Sequence, residues 1–575
     1  MFALALSLVA LSVPGASSAA PTWLTPQDLS APGNGGDLHI ALDAAGDAFA
    51  MWDHSGVVRV AERPADGIWT QGQDISGSCS GYTQHAQVAV SPAGRAAAVW
   101  ECGVDTPASS VVQAAIRPAG GDWGAPWTLS GSNAHAPQVA LDPGGDVFAI
   151  WTRSNGTNFV VQAAMRRSRG VWLMPDGVSS PKLDADNPRI AVDEVGNAVA
   201  VWQTSGGAPV QAASRPAGET WGAPHDLSAP DGYAERPQVG VDSAGNAVAV
   251  WWANGIGIQA SIRTPDGSWG QPENLSTSGG GALLAVNPDG DAVASWVSFD
   301  GTAGVAQVSY RPAGGSWSTP EDVSARSQDI GSPLVALDPA GDAIVAWRRL
   351  HGGVGAIGVI QAARRPAGGA WGAPQDITPP GVDADLPDVG LDAAGNGAAI
   401  WQRGDGVNWT VQAAGLDTAG PVFAGLTIAA RGTARARLLF AVEPSDVWSS
   451  LSDPPHWTFG DGTRAIGVNV AHRYRRAGSY MVRLSEADDV GNETTVTRRI
   501  RIAAAPRCVV PSVVGKTLTR ARAAIERRHC RTGEITHVYS ATVRRGRVLA
   551  QRPAAGRRLS NGAKVSLVVS RGTLR

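Results

Sequence analysis

The chain is predicted to be mainly β, with an eight-bladed propeller as its largest part, and three observations carry that expectation. Eight strand-like runs end in tryptophan, at Trp52, Trp100, Trp151, Trp202, Trp251, Trp296, Trp347 and Trp401, spaced by 48, 51, 51, 49, 45, 51 and 54 residues. A second series, Trp23, Trp69, Trp123, Trp172, Trp221, Trp269, Trp317 and Trp371, alternates with the first, mostly within a phrase like GGxWGAPxDLS. Each interval contains four short runs of period-2 alternation separated by turn residues. Periods of roughly 20 to 50 residues belong to units that cannot bury their apolar faces alone and therefore stack or close into a ring.

In the unit around Trp202 the four strands are expected at Arg189 to Val192, Ala198 to Trp202, Val210 to Ser214 and Trp221 to Leu227. The first two join through Asp193-Glu194-Val195-Gly196, a D-x-x-G turn that recurs as Asp43/Gly46, Asp142/Gly145, Asp242/Gly245, Asp338/Gly341 and Asp392/Gly395, with Asn287/Gly290 and Ser91/Gly94 as variants. The Asp side chain can accept from amides two residues on, while Gly takes the left-handed backbone of a short hairpin. One carboxylate per turn is too few for calcium, so these aspartates read as structural. Arg-Pro-Ala-Gly-Gly or a variant links the third strand to the fourth, where Pro and Gly end the ladder.

The count of strands argues for closure. Eight copies of the first three strands occur, but only seven fourth strands follow them in order. The last copy, Asp388 to Leu416, lacks its W-x-x-P-x-D-L-S partner, and Trp23-Leu-Thr-Pro-Gln-Asp-Leu-Ser30 stands unused at the other end. Pairing the two completes eight four-stranded blades over residues 21–418 and removes an exposed edge. The sixteen repeat tryptophans are then expected between blades as core. The recurring third-strand glutamine (Gln113, Gln162, Gln211, Gln259, Gln307, Gln361 and Gln412) is expected to be a buried amide bridging backbone groups. Trp127, Trp252 and Trp409 fall off the pattern and are candidates for exposed contact surface.

With 575 residues the chain should divide into domains. Residues 1–20, MFALALSLVALSVPGASSAA, resemble a secretory signal with cleavage near Ala19 or Ala20, although the usual positively charged start is missing. No later stretch is apolar enough to span a membrane. Cys79 with Cys102 and Cys508 with Cys530 are expected to form two local disulfides, which fits an oxidising compartment. Residues 506–575 hold 16 Lys+Arg against Glu526 and Glu534, a net of +14, leaving −17 for the rest of a chain whose total is −3. Only Lys182, Lys516 and Lys564 are lysines, a bias that fits a GC-rich bacterial coding sequence.

After residue 418 the repeat stops. Trp457-Thr-Phe-Gly-Asp-Gly462, His472-Arg-Tyr474, Ala477-Gly-Ser-Tyr480 and Asp489-Val-Gly-Asn492 closely resemble the PKD domain, an immunoglobulin-like sandwich that sets a module at 420–504. The resemblance implies a spacer or adhesive role and no catalysis. Val510-Pro-Ser-Val-Val-Gly515, Leu518, Ala521 and Ile525, then Gln551, Pro553 and Gly556, and finally the strand Lys564 to Ser570 before Gly572 resemble a PASTA domain at 506–575. The residues alone place Thr517 as the cap of a helix whose Leu518, Ala521 and Ile525 share one face. The family packs a helix on a three-stranded sheet and is associated with peptidoglycan. A module carrying +14 is also drawn to an anionic wall polymer on charge alone. Nucleic acid is not expected as the partner of an exported chain.

Ligand sites in propellers lie where the chain enters the innermost strands. Asp37, His85, His135, Asp186, Glu235 and Asp385 stand six or seven residues before the hairpin turns and could line a channel mouth, holding a cation or a basic ligand. No catalytic residue, metal ligand or cofactor is assigned: no G-x-S-x-G elbow, H-E-x-x-H helix or P-loop occurs. The expectation is a secreted, non-catalytic envelope protein, extracellular or wall-associated. Its propeller would act as recognition surface and its basic C-terminal module would hold peptidoglycan or anionic wall polymer. The alternative is a secreted carbohydrate- or wall-active hydrolase using the channel mouth.

Overall fold

The structure is a computed structural model and describes residues 22–574 apart from 34, 66, 78, 80, 105, 206–208, 231, 328 and 352–356. The expected signal segment lies outside the described residues. The chain separates into two units, the first comprising residues 1–419 with Asp446–Ser450 and Asp489–Asn492, the second the remainder.

The first unit is an eight-bladed propeller. Seven sheets take their four strands in chain order, and the eighth is built from Asp383–Leu391, Gly397–Gly404 and Trp409–Asp417 with the N-terminal Thr22–Trp23 and Gln27–Asp28. Trp23 pairs with Leu416 and Asp28 with Gln412, so the start of the chain closes the last blade. The first strand of every blade packs on the first strand of the next, and that of the eighth packs on Gly36–Leu42 of the first. The ring is shut.

Each letter of the repeat has a mechanical task. All eight anchor tryptophans are fully buried, whereas the second series lies half-buried at the rim. In four blades the anchor indole N–H donates to the third-strand glutamine, as Trp251 Nε1 does to Gln259 Oε1 at 3.1 Å. The same amide then donates to the fourth strand, as Gln259 does to Asn274 at 2.8 Å, whereas Gln412 donates to Asp28 at 2.6 Å without receiving the Trp401 indole. The glutamine therefore links two side chains, indole and carboxylate or amide, rather than backbone groups as expected. The apolar residue of the D-L-S phrase is buried in every blade, from Leu29 to Ile377. Its Ser or Thr hydroxyl accepts a third-strand amide in all eight, as Ser30 does from Val411 at 3.0 Å.

The turns behave as the sequence implied. Asp193 Oδ1 accepts from the amides of Val195 at 3.0 Å and Asn197 at 2.8 Å, and Gly196 holds φ +87°. Asn197 in turn accepts from Ala217 in the connector to the fourth strand, at 2.8 Å. Fourth strands are shorter than predicted, only His225–Asp226 in this blade: Gly222 N–H still donates to Ser214 O at 2.9 Å, but Pro224 has no amide to continue the ladder between them.

In the second unit, strands of a three-stranded and a five-stranded sheet enclose Trp457, Tyr474, Val482, Leu484 and Ile500, an immunoglobulin-like sandwich. Beyond it the helix Leu518–Arg527 lies on the three-stranded sheet of Arg531–Val538, Lys564–Ser570 and Val548–Arg552. Ala521, Ile525, Val565, Leu567 and Val569 form its core. Thr517 occupies the N-cap position but makes no side-chain capping bond. Both expected disulfides are formed, with Cα–Cα distances of 5.7 Å for Cys79–Cys102 and 4.8 Å for Cys508–Cys530.

Candidate functional site: the channel mouth

The residues expected at the channel mouth lie on the first strands themselves, and a repeated bulge decides where they point. In seven blades the pairing of first with second strand slips by one residue, two residues of the first strand facing one of the second, for example between Asp186 and Arg189 or between Glu235 and Gln238. The first residue of each slip has left-handed backbone: Asp37, His85, Ala136, Asn187, Arg236, Gly281 and Leu386, with φ between 44° and 67°. Six of these are not glycine, and strain repeated at one structural position is a feature of binding sites.

The six expected residues occupy two registers, not one. Asp37 and His85 sit on the bulge. His135, Asp186, Glu235 and Asp385 stand one residue earlier, paired across to Thr152, Gln203, Trp252 and Gln402 of the second strands. The Asp37 carboxylate accepts the backbone N–H of His85, and His135 Nε2 lies 3.7 Å from Asp186 Oδ1. Glu235 and Asp385 are engaged separately. Glu235 accepts the Tyr233 hydroxyl at 2.9 Å, and Asp385 lies 3.3 Å from Arg348 Nε.

Several groups escaped the sequence reading. Asp53 and Glu101 immediately follow the anchor tryptophans, at a position that also carries Thr152, Gln203, Trp252, Val297, Arg348 and Gln402. That variability beside an invariant anchor was the available signal. Glu101 is buried and meets His85 Nδ1 at 3.1 Å, and this hydrogen bond raises the His85 pKa, with the Asp37 charge assisting and burial opposing. Burial, then the charge of Asp37, pushes the Asp53 carboxyl up to about 6. Asp53 Oδ1 is buried without a hydrogen-bond partner. Cys102 directly follows Glu101, so the Cys79–Cys102 disulfide ties the approach loop to this acidic strand.

One step past the bulge, the first strands present His39, Gln87, Gln138, Arg189, Gln238 and Asp388 on six blades, with Leu283 and Leu334 on the other two. Asp388 Oδ2 accepts Ile40 N–H at 2.9 Å and lies 3.4 Å from His39 Nδ1, joining the eighth blade to the first. His39 Nε2 continues to Gln87 Nε2 at 2.6 Å. Arg189 is only half-buried by area yet ringed by protein, and that desolvation lowers its guanidinium to about 10. A cavity of about 340 Å³ opens between Asn187, Arg189, Arg236, Gln238, Leu283 and Ser332. Two residues further, every blade carries Ala or Gly; a Cβ on Gly390 would come within 2.5 Å of Leu42 on the next blade. Small residues here let eight strands approach closely.

The mouth is therefore acidic with imidazole over blades one to four, and aromatic at blade five, where Tyr233 meets Trp252 edge-on with centroids 6.2 Å apart. Polar groups that differ from blade to blade around a cavity can orient a ligand. Of the off-pattern tryptophans, Trp127 is 50% exposed and the other two are half-buried.

Two family models match the chain: the PKD domain over residues 419–503 and the PASTA domain over 509–571. The chain carries both domains. A probable serine/threonine-protein kinase of Clostridium acetobutylicum is 40% identical over 63 residues, which are 11% of this chain and 10% of that protein. The chain thus spans about a tenth of the length of the curated relative it matches. Among solved structures, the α-L-arabinanase of Penicillium chrysogenum is similar at 14% identity and a TM-score of 0.34, covering 51% of this chain and 99% of that one. A sialidase of Streptococcus pneumoniae matches at 10% identity and 0.34, covering 67% and 93%. The expectation of a non-enzyme is withdrawn: the solved structures similar to the chain include a sialidase and an arabinanase.

The chain is a multidomain protein whose PKD and PASTA domains suit a cell-surface setting. Two disulfides suit an extracellular or wall setting, and no helix of the described residues is long and apolar enough to cross a membrane.

Proposed function

We propose that this protein is retained at the bacterial cell wall by its PASTA domain, which holds peptidoglycan or an anionic wall polymer, while the propeller mouth takes a second ligand. The observation that carries the reading is the state of the C-terminal charges. Residues 506–575 are net +14, and none of the ion pairs among the described residues falls there. Cations with no ion-paired carboxylate raise the local potential for an external polyanion and make its binding salt-sensitive. Sedimentation with purified peptidoglycan tests this, comparing the full chain with one ending at residue 505. Retention of the full chain alone, weakening as salt rises, is expected. Equal retention of both removes the proposal.

A second reading is favoured by one feature of the mouth. Burial, then the Asp37 charge, holds Asp53 up at about 6, and a carboxyl raised in this way is what glycoside hydrolysis uses as its general acid. Incubation with murein and plant glycans, with Asp53→Asn alongside, tests it. Released reducing ends that vanish in the variant support hydrolysis; no release from any substrate refutes it for those glycans.

A further inference from the structure

The PKD domain carries a cleft of about 690 Å³ lined by Arg435, Arg437, Arg473, Arg475, His472 and Thr463. Two antiparallel segments build it. Leu438 pairs with His472, and Arg435 N–H donates to Tyr474 O at 2.8 Å, with Arg435 itself in left-handed backbone at φ +69°. Alternation along the second segment sends Tyr474 into the core, fully buried, and leaves Arg473 and Arg475 exposed opposite Arg435 and Arg437. His472 faces partly inward, stacked on Phe459 with centroids 4.2 Å apart.

No carboxylate answers these charges. Among the described residues none of the four guanidinia is ion-paired; Arg473 reaches only the Arg435 carbonyl, at 3.2 Å. The nearby Asp461 is already occupied, with Oδ2 2.9 Å from His472 Nε2 and Oδ1 accepting Thr463 Oγ1 at 2.5 Å. Four like charges facing one concavity repel one another, and a ligand with repeated oxyanions would relieve that repulsion. Guanidinium forks match phosphate and carboxylate oxygens in pairs, and they stay charged at any physiological pH.

We propose that this cleft is a second, independent binding site for a linear polyanion bearing phosphate or carboxylate groups. The reading does not depend on the PASTA domain or on the propeller mouth. The test uses the full chain with long-chain polyphosphate, polygalacturonate and neutral dextran as probes, and reads arginine modification by phenylglyoxal residue by residue. Saturating polyanion is expected to slow modification of Arg435, Arg437, Arg473 and Arg475 about tenfold while dextran leaves it unchanged. Protection by polyphosphate alone identifies phosphate as the ligand group; protection by polygalacturonate alone identifies carboxylate. The combined substitution Arg435→Gln, Arg437→Gln, Arg473→Gln and Arg475→Gln is expected to weaken binding of the protecting polyanion by the full chain about tenfold. Unchanged modification rates at saturation overturn the proposal, and that measurement on the unsubstituted chain decides even if the variant fails to fold. Undiminished affinity in a folded variant overturns it equally.

Discussion

The outer body of the propeller and its inner mouth are made from the same eight repeats, yet they obey opposite rules. Outside, the indole, the buried apolar residue and the hydroxyl recur in every blade; the hydroxyl accepts a third-strand amide in all eight, and the indole bonds the third-strand glutamine in four. At the mouth, one residue past each anchor tryptophan, the side chain is Asp, Glu, Thr, Gln, Trp, Val, Arg or Gln in turn. Repetition within one chain marks positions whose partners are other copies of themselves. Divergence marks positions whose partner lies elsewhere. The boundary between the two runs through a single peptide bond, from Trp52 to Asp53 or from Trp100 to Glu101.

The largest effect should come from breaking the ring rather than any blade. Removing residues 22–30 strips Leu29 from the core, frees the Val411 amide and leaves Gln412 without Asp28. A loss above about 5 kcal/mol is expected from those terms together, seen as collapse of the cooperative urea transition. A two-state melt unchanged from the parent would show that the last blade does not need its borrowed strand.

The two tryptophan series separate next. Trp202→Ala should cost about 3–5 kcal/mol, since the ring is fully enclosed. Trp221→Ala, half-exposed at the rim, should cost less than about 2 kcal/mol by the area it covers. Equal costs in denaturant titrations would erase the distinction between anchor and rim. Smaller still, Gln259→Leu leaves the Trp251 indole N–H and the Asn274 side chain unpaired, an expected loss of about 1–3 kcal/mol.

The ring was legible because its arithmetic is carried by tryptophan spacing and by a fourth strand missing from one end and present at the other. Length of the fourth strand was not legible: period-2 alternation continues through Trp221-Gly-Ala-Pro224, but Pro224 has no amide to pair. The two-register mouth was not legible either. Counting back from the turn puts Asp37 and Asp186 at nearly equal distance, and only the bulge, set by backbone conformation at Asp37 or Asn187, separates them. The arginine cleft escaped for a different reason. Arg435 and Arg473 are 38 residues apart and meet only through strand pairing that no local pattern announces.

Acidity offers the finest test of the contrast, because Asp53 and His85, both raised, stand among the residues that differ from blade to blade. Asp53 has its folded pKa raised to about 6, so its contribution is fully present below the ordinary carboxylate value and is lost as pH rises through about 6. His85, also raised, contributes below its ordinary value near 6.5 and loses that contribution at higher pH. Both signs agree: stability should fall between about pH 4 and 6 through Asp53, by on the order of 1 kcal/mol after allowance for solvent screening of a half-buried site, and fall further above about 6.5 through His85. Asp53→Asn, which fixes the neutral form, should flatten most of that slope in chemical denaturation measured at stepped pH. Gln259→Leu should lower stability equally at every pH, because nothing in its network titrates across that window. If instead the two variants shift the pH profile alike, the charge cluster and the scaffold are one mechanical system, and the boundary at the anchor tryptophan has no energetic meaning.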